Sequence, residues 1–182
     1  MKLETERLIL RKIQPEDKHA IFSYRGDPEV NYFLPSAARQ LSDVEKFIAV
    51  CASEFNQPET WFQFVILLKA TNTVIGDIGI HFLYEGSEQC ELGYTLHKAH
   101  QGKGYASEAL FTIVDELFTT FNKHRITALI DPENSENSAS IKMAQRLGMQ
   151  QEAHFRENYF FKGKWVDELV FAVLQREWKT KR

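Results

Sequence analysis

His100-Gln101-Gly102-Lys103-Gly104-Tyr105-Ala106 stands between an alternating apolar segment, Gln89 to His97, and a long run of apolar residues at helical spacing. Downstream, Ala106, Ala109, Leu110, Ile113, Val114, Leu117, Phe118 and Phe121 predict an amphipathic helix from Tyr105 to near Asn122 that lays one face on a sheet. The heptapeptide is therefore a strand-to-helix turn. Gly102 and Gly104 let the backbone approach a ligand closely, and the first N–H groups of the helix, with the positive end of its dipole, suit a pyrophosphate. The same glycines can instead serve only to shape the turn. Two phosphate motifs do not fit. A P-loop needs a glycine where His97 stands and a serine or threonine where Gly104 stands. A dinucleotide fingerprint needs a third glycine where Ser107 stands and a preceding strand buried on both faces, whereas Cys90 to Leu96 alternates.

Beyond the helix, Ile126 to Ile130 predicts a short strand, so strand, helix and strand form a right-handed parallel crossover. Asn137 or Ser138 then caps a helix with Ile141, Ala144 and Leu147 inward and Gly148 as its stop. Gln151 to Phe161 and Trp165 to Leu174 form a hairpin around Lys162-Gly163-Lys164. Toward the N-terminus, Trp61 to Lys69 and Val74 to Leu83 complete an antiparallel meander with Gln89 to His97. Ser42-Asp43-Val44-Glu45 has the form of a capping box for a helix bearing Val44, Phe47, Ile48, Cys51, Ala52 and Phe55. An earlier helix starts at Pro15, turns Ala20, Ile21 and Tyr24 inward and breaks at Asp27-Pro28. Leu8 to Ile13 is a strand. No linker or repeat interrupts the chain, so residues 1–182 read as one domain.

Composition bounds the function. The 22 basic and 25 acidic residues are interleaved and leave a net charge of −3, which argues against nucleic acid as a partner. Met1-Lys2-Leu3-Glu4-Thr5-Glu6-Arg7 is too charged for a signal peptide, and the longest apolar runs, Phe64 to Leu68 and Val170 to Leu174, are far short of the roughly 20 residues of a membrane helix. With two unpaired-looking cysteines, Cys51 and Cys90, the chain reads as cytoplasmic, Cys51 as a small core residue. His97 and His100 lack a third ligand, so no metal is expected.

Gln101-x-x-Gly104-x-Ala106 resembles the acyl-CoA signature of the GCN5-related N-acetyltransferases. The likeness runs along the whole chain and is nearest to the Rim-type branch, which acetylates ribosomal-protein N-termini. It is carried by Leu3-x-Thr5-Glu6-Arg7-Leu8-x-Leu10-Arg11, by Gly102 to Ala109, by Asn137-Ser138-Ala139-Ser140 through Leu147-Gly148-Met149, and by Trp165-Val166-Asp167. The resemblance implies an α/β (α+β) fold: a mixed, strongly twisted seven-stranded sheet, helices on both faces, and strands 4 and 5 splayed around acetyl-CoA. It further implies direct acetyl transfer to a primary amine, on a protein N-terminus or a small molecule, with a homodimer as the family expectation. Leu96 would offer backbone groups to the pantetheine, Gln101, Gly102, Lys103, Gly104, Tyr105 and Ala106 would hold the pyrophosphate, and Asn137 would contact the pantetheine arm or simply cap its helix. Lys103 and Lys142 would meet phosphate or remain solvated.

One departure stands out. Many members of that family carry a tyrosine seven residues after the asparagine, as the acid for the leaving thiolate; Ala144 stands there. Ser140, where Rim-type relatives carry a serine, is the candidate donor or else a helix-cap residue. Glu91 and Glu157 are candidate bases or plain exposed carboxylates. Tyr159, expected on the same strand face as Glu157, would line the acceptor pocket or merely pack. Ala144 keeps a non-catalytic acyl-CoA-binding module in view, and Gly102-x-Gly104 a nicotinamide-dependent oxidoreductase.

Overall fold

Phe62 to Leu67 is an apolar run broken only by Gln63, and in the computed structural model, which describes residues 1–31, 38–132 and 137–178, it forms the fully buried middle of strand β3 (Thr60–Leu68). Helices cover both faces there, so the run need not alternate. On one side of β3 lie β2 (Leu8–Lys12) and β1 (Lys2–Glu4). On the other lie β4 (Thr73–Phe82), β5 (Gln89–Leu96), β6 (Arg125–Ile130), β8 (Lys164–Leu174) and the edge strand β7 (Gln150–Phe161), in that order. The sheet has eight strands, one more than the sequence suggests. The addition is β1, whose three residues are too few to show alternation; it pairs with Ile9 to Arg11 across a turn closed by Thr5, whose hydroxyl accepts from Leu8 N at 2.9 Å.

The pairing of β5 with β6 is parallel and stops early. Gln89, Cys90 and Glu91 face Arg125, Ile126 and Thr127, after which Leu92 to Leu96 continue along β4 alone, as far as Leu96 opposite Gly76. Meanwhile β6 runs on against β8 to Ile130 opposite Leu169. A V-shaped split therefore opens between β5 and β6, which are the fourth and fifth strands when the short β1 is left out of the count.

Helix α4 (Tyr105–Thr119) covers one face of the sheet, its Ala109, Leu110, Ile113, Val114 and Leu117 packed on Ile78, Ile80, Cys90, Leu92 and Ile126. Helix α5 (Asn137–Arg146) adds Met143, Ala144 and Leu147 to the same core and stops at Gly148, whose φ of +77° only glycine adopts without cost. The terminal turn α6 (Gln175–Trp178) is tied there by Trp178, which donates to Asp115 Oδ1 at 3.0 Å. The opposite face carries α1 (Lys18–Arg25), the single turn α2 (Pro28–Asn31) and α3 (Leu41–Val50), with Ile21, Tyr24 and Val44 on Val65 and Leu67. The capping of α3 differs from the sequence reading. Its N-cap is Gln40, and Asp43 accepts from the backbone N–H of Gln40 and Arg39 at 3.2 and 3.0 Å. The helix ends at Val50, so Cys51 is a half-buried cap residue and not part of a helical stripe.

One buried polar cluster locks α1 to the sheet. Asp77, wholly buried on β4, accepts from Tyr24 Oη and Gln63 Nε2 at 2.6 Å each and from Arg25 Nε and Nη2 at 2.9 and 2.6 Å. The guanidinium of Arg25 also lies 4.2 Å from the ring centroid of Phe47, which draws α3 into the same unit.

Candidate active site

At the end of β5 the chain makes one 3₁₀ turn, Lys98 to His100, and enters the glycine loop. Gly102 and Gly104 have φ of +72° and +81°, and Gly104 is the N-cap of α4, so both positions need the left-handed freedom of glycine. Ala106 is buried in the core at the first turn, where only a small side chain lets the helix start so close to the sheet. Gln101 donates through Nε2 to Leu96 O at 3.2 Å, and Lys103 donates through Nζ to Ala99 O at 2.8 Å. Both side chains thus brace the loop; Lys103 is bonded to a carbonyl. Lys142 is exposed on α5. Tyr105 is half-buried, 6.4 Å from the ring of His100 and 4.6 Å from the guanidinium of Arg7.

His97 N donates to Ile75 O, so by alternation Leu96 and Tyr94 turn their backbone groups toward the split. Gln101 occupies the Leu96 carbonyl, which leaves the remaining groups of that edge for a ligand. On the α4–α5 face of the split, the Ser140 hydroxyl lies beside the Tyr94 phenol. Burial pushes the Tyr94 phenol up, against the opposing pull of Ser140 and of Arg146. Tyr94 is the group that sequence reasoning missed, although it lies on the strand singled out for the site. Ala144 is buried in the core on the inner face of α5 and has no polar group to offer the split. The side chains of Asn137 and Ser138 lie outside the described residues.

Glu91 is on the last paired rung before the split. Three residues from Tyr94, it projects from the opposite face of the same strand. Burial raises its pKa, and the neighbouring carboxylate of Glu168 raises it further. Glu91 is paired with His81, and His81 with Trp61, whose indole stacks on the His81 ring at 4.8 Å and 7°. In this row Trp61 is 41% exposed, while His81 and Glu91 are half-buried.

Glu157 and Tyr159 do not share a regular face. Phe155 pairs with Glu168 and Tyr159 with Val166, so four residues of β7 span two of β8. The surplus is a bulge with Glu157 at φ +48°, its N–H donating to Asp167 Oδ1 at 2.8 Å while Asp167 Oδ2 holds His154 Nε2 at 2.6 Å. Asn158 donates to Glu168 Oε2 at 2.8 Å and fixes the carboxylate that faces Glu91. Glu157 itself is exposed. Tyr159 packs 6.2 Å from Phe161.

Both thiols are inert at neutral pH: burial pushes Cys90 up to about 12 and Cys51 up to about 11, so neither supplies the thiolate an acyl-cysteine intermediate requires. Among the described residues no three metal-ligating side chains converge, and His97 is committed through Nδ1, which accepts from Ala99 N at 3.1 Å.

A split sheet with a glycine loop and helix at its mouth is the architecture of acyl-CoA-dependent transferases, and the chain belongs to the acetyltransferase (GNAT) domain family, which matches residues 7–150. It is an acetyl-CoA-dependent acyltransferase, and the oxidoreductase reading falls with that assignment. It is 35% identical over 180 residues to the N-acetyltransferase p20 of Bacillus licheniformis, 97% of each chain being covered. It is 24% identical to the ribosomal protein uS5-alanine N-acetyltransferase of Escherichia coli, over 100% of this chain and 95% of that one. A GNAT-family acetyltransferase from Bacillus anthracis superposes with a TM-score of 0.84 at 28% identity, covering 97% of this chain and 100% of the other.

Proposed function

We propose that the enzyme transfers acetyl directly to a primary amine, with the donor on the α4–α5 face of the split and the acceptor on the face that carries Glu91. What carries this reading is the placement of Glu91 and Tyr94 on opposite faces of β5, at the point where β5 loses its partner. The backbone of Gln101 to Ala106 would hold the pyrophosphate, and the free edge of Leu92 to Leu96 the pantetheine arm, as an added strand would be held. The donor supplies a thioester carbon open to attack.

Glu91 takes the proton that the amine must lose, and its raised pKa makes it a better base than an ordinary carboxylate. As the carbon–sulfur bond breaks, the hydroxyl of Tyr94, with Ser140 beside it, gives a proton to the thiolate. That leaving group has a thiol pKa near 8.5 and needs only modest help. The acceptor class best matched is an α-amine, with a pKa near 7.7 to 8.0 against about 10.4 for lysine, since a carboxylate base suffices for it. The uS5-alanine relative acts on such an amine. The protein's free thiols and the use of acetyl-CoA as donor support a cytoplasmic location.

The test is thiol release from acetyl-CoA with a panel of N-terminal peptides, polyamines, amino acids and aminoglycosides, repeated with Glu91→Gln. Turnover with an α-amine that drops at least about 10²-fold in the variant supports the reading. Preference for internal lysines overturns the acceptor class. Binding of acetyl-CoA without thiol release from any amine leaves an acyl-CoA-binding module.

A further inference from the structure

The turn between β1 and β2 lies about a hundred residues from the glycine loop in sequence, yet it is clamped onto it. Glu108, in the first turn of α4, accepts from Arg7 Nε at 2.6 Å and from Arg7 N at 2.9 Å, and also from the hydroxyl of Thr5. The same guanidinium donates through Nη1 to Lys103 O at 3.1 Å, and its carbon lies 4.6 Å from the ring centroid of Tyr105. Its third nitrogen, Nη2, sits 3.3 Å from where a Cβ on Gly104 would be. One side chain therefore touches three consecutive positions of the turn and helix start, Lys103, Gly104 and Tyr105, and, one turn on, Glu108.

We infer that Arg7 is a positioning residue for acetyl-CoA, acting through the backbone of Lys103 and Gly104; this rests on the assignment of that loop as the pyrophosphate site. Two residues at positive φ are costly to hold still, because glycine loses more conformational freedom on ordering than any other residue. Backbone N–H groups bind an anion well only when they already point together. The other braces described are local: Gln101 reaches Leu96 at the end of β5, and Lys103 reaches Ala99 within the connection itself. Arg7 adds a tie from a distant part of the chain, the turn between β1 and β2. A guanidinium is suited to this because it is a rigid planar fork: Nε and Nη1 engage Glu108 and Lys103 O from fixed positions, which the flexible ammonium of lysine does not hold. Arg7 is 43% exposed, so its removal leaves no buried hole.

The experiment is calorimetric titration of the purified protein with acetyl-CoA, beside its melting temperature, for the native chain, Arg7→Ala, Arg7→Lys and Glu108→Gln. If the clamp raises the population of the ordered loop about tenfold, Arg7→Ala weakens the Kd by about 10-fold, since apparent affinity scales with the competent fraction. Arg7→Lys should stay within about 3-fold of Arg7→Ala, because charge without the fork does not hold the loop. A Kd for Arg7→Ala within about 2-fold of the native value overturns the inference, as does a full return of affinity in Arg7→Lys. Should Arg7→Ala not fold, Glu108→Gln decides in the same way: weakened binding supports the clamp, and native affinity overturns it. Failure of the native chain itself to bind acetyl-CoA would instead strike the loop assignment beneath it.

Discussion

Asp77→Ala should be among the most damaging single changes in this protein, though it lies outside the split. The carboxylate receives four hydrogen bonds, from Tyr24, Gln63 and twice from Arg25, and it is the counter-charge of a guanidinium only 7% exposed. Removing it leaves that buried cation without compensation, a change that costs about 3 to 5 kcal/mol. For a chain of this length each kcal/mol is worth roughly 2 to 4 °C, so Tm should fall by roughly 6 to 20 °C. Urea unfolding followed by circular dichroism gives the free energy, and calorimetry the Tm. A double change, Asp77→Leu with Arg25→Met, removes the charge together with its partner and should recover much of the loss, because paired burial of ions is close to neutral against apolar packing. A Tm for Asp77→Ala within about 2 °C of the native value would refute the argument that this cluster fastens α1 to the sheet.

Gly104→Asp should lower Tm somewhat, since φ +81° strains any side chain and its Cβ would stand 3.3 Å from Arg7 Nη2, and it should also weaken acetyl-CoA binding by at least about 10-fold by placing a carboxylate at the pyrophosphate site. Normal binding in that variant would remove the loop from the cofactor site. Ser140→Ala and Tyr94→Phe should each lower kcat by roughly 10- to 100-fold at unchanged acetyl-CoA affinity; a protein that melts lower with native kcat would make the pair structural. Stability should also carry an acid limb from Glu108. Burial pushes its pKa up, but hydrogen bonds from Thr5 and from Arg7 outweigh this and leave it lowered. Its contribution is therefore present above the unfolded carboxylate value, near 4.3, and is lost as pH falls through the lower folded value. Arg7→Ala should flatten that part of the Tm-against-pH curve, and an unchanged curve would rule the clamp out as its source.

The loop was legible from local sequence because its chemistry is local: two glycines, a strand ending before them and a 3.6-residue apolar period beginning after them leave few backbone paths. The same holds for the meander, the crossover and the last hairpin, whose alternation and turn residues are written in consecutive positions. What the linear pattern did not carry is register. Trp61, His81 and Glu91 become one row only when β3, β4 and β5 are paired. The shift that separates Glu157 from the face of Tyr159 is a two-residue surplus in β7, invisible without β8 beside it. Thr5 and Arg7 stand in one motif and Glu108 in another about a hundred positions on, and folding makes them one contact. Tyr94 gained its meaning from Ser140, forty-six positions away, because a hydroxyl's role depends on what burial places next to it. Sequence by itself determined the main elements other than β1, their order and the family resemblance, which depend on short-range periodicity and turn chemistry. Only the tertiary structure decided which side chains meet at the split, since each meeting depends on strand pairing and on where β5 and β6 part.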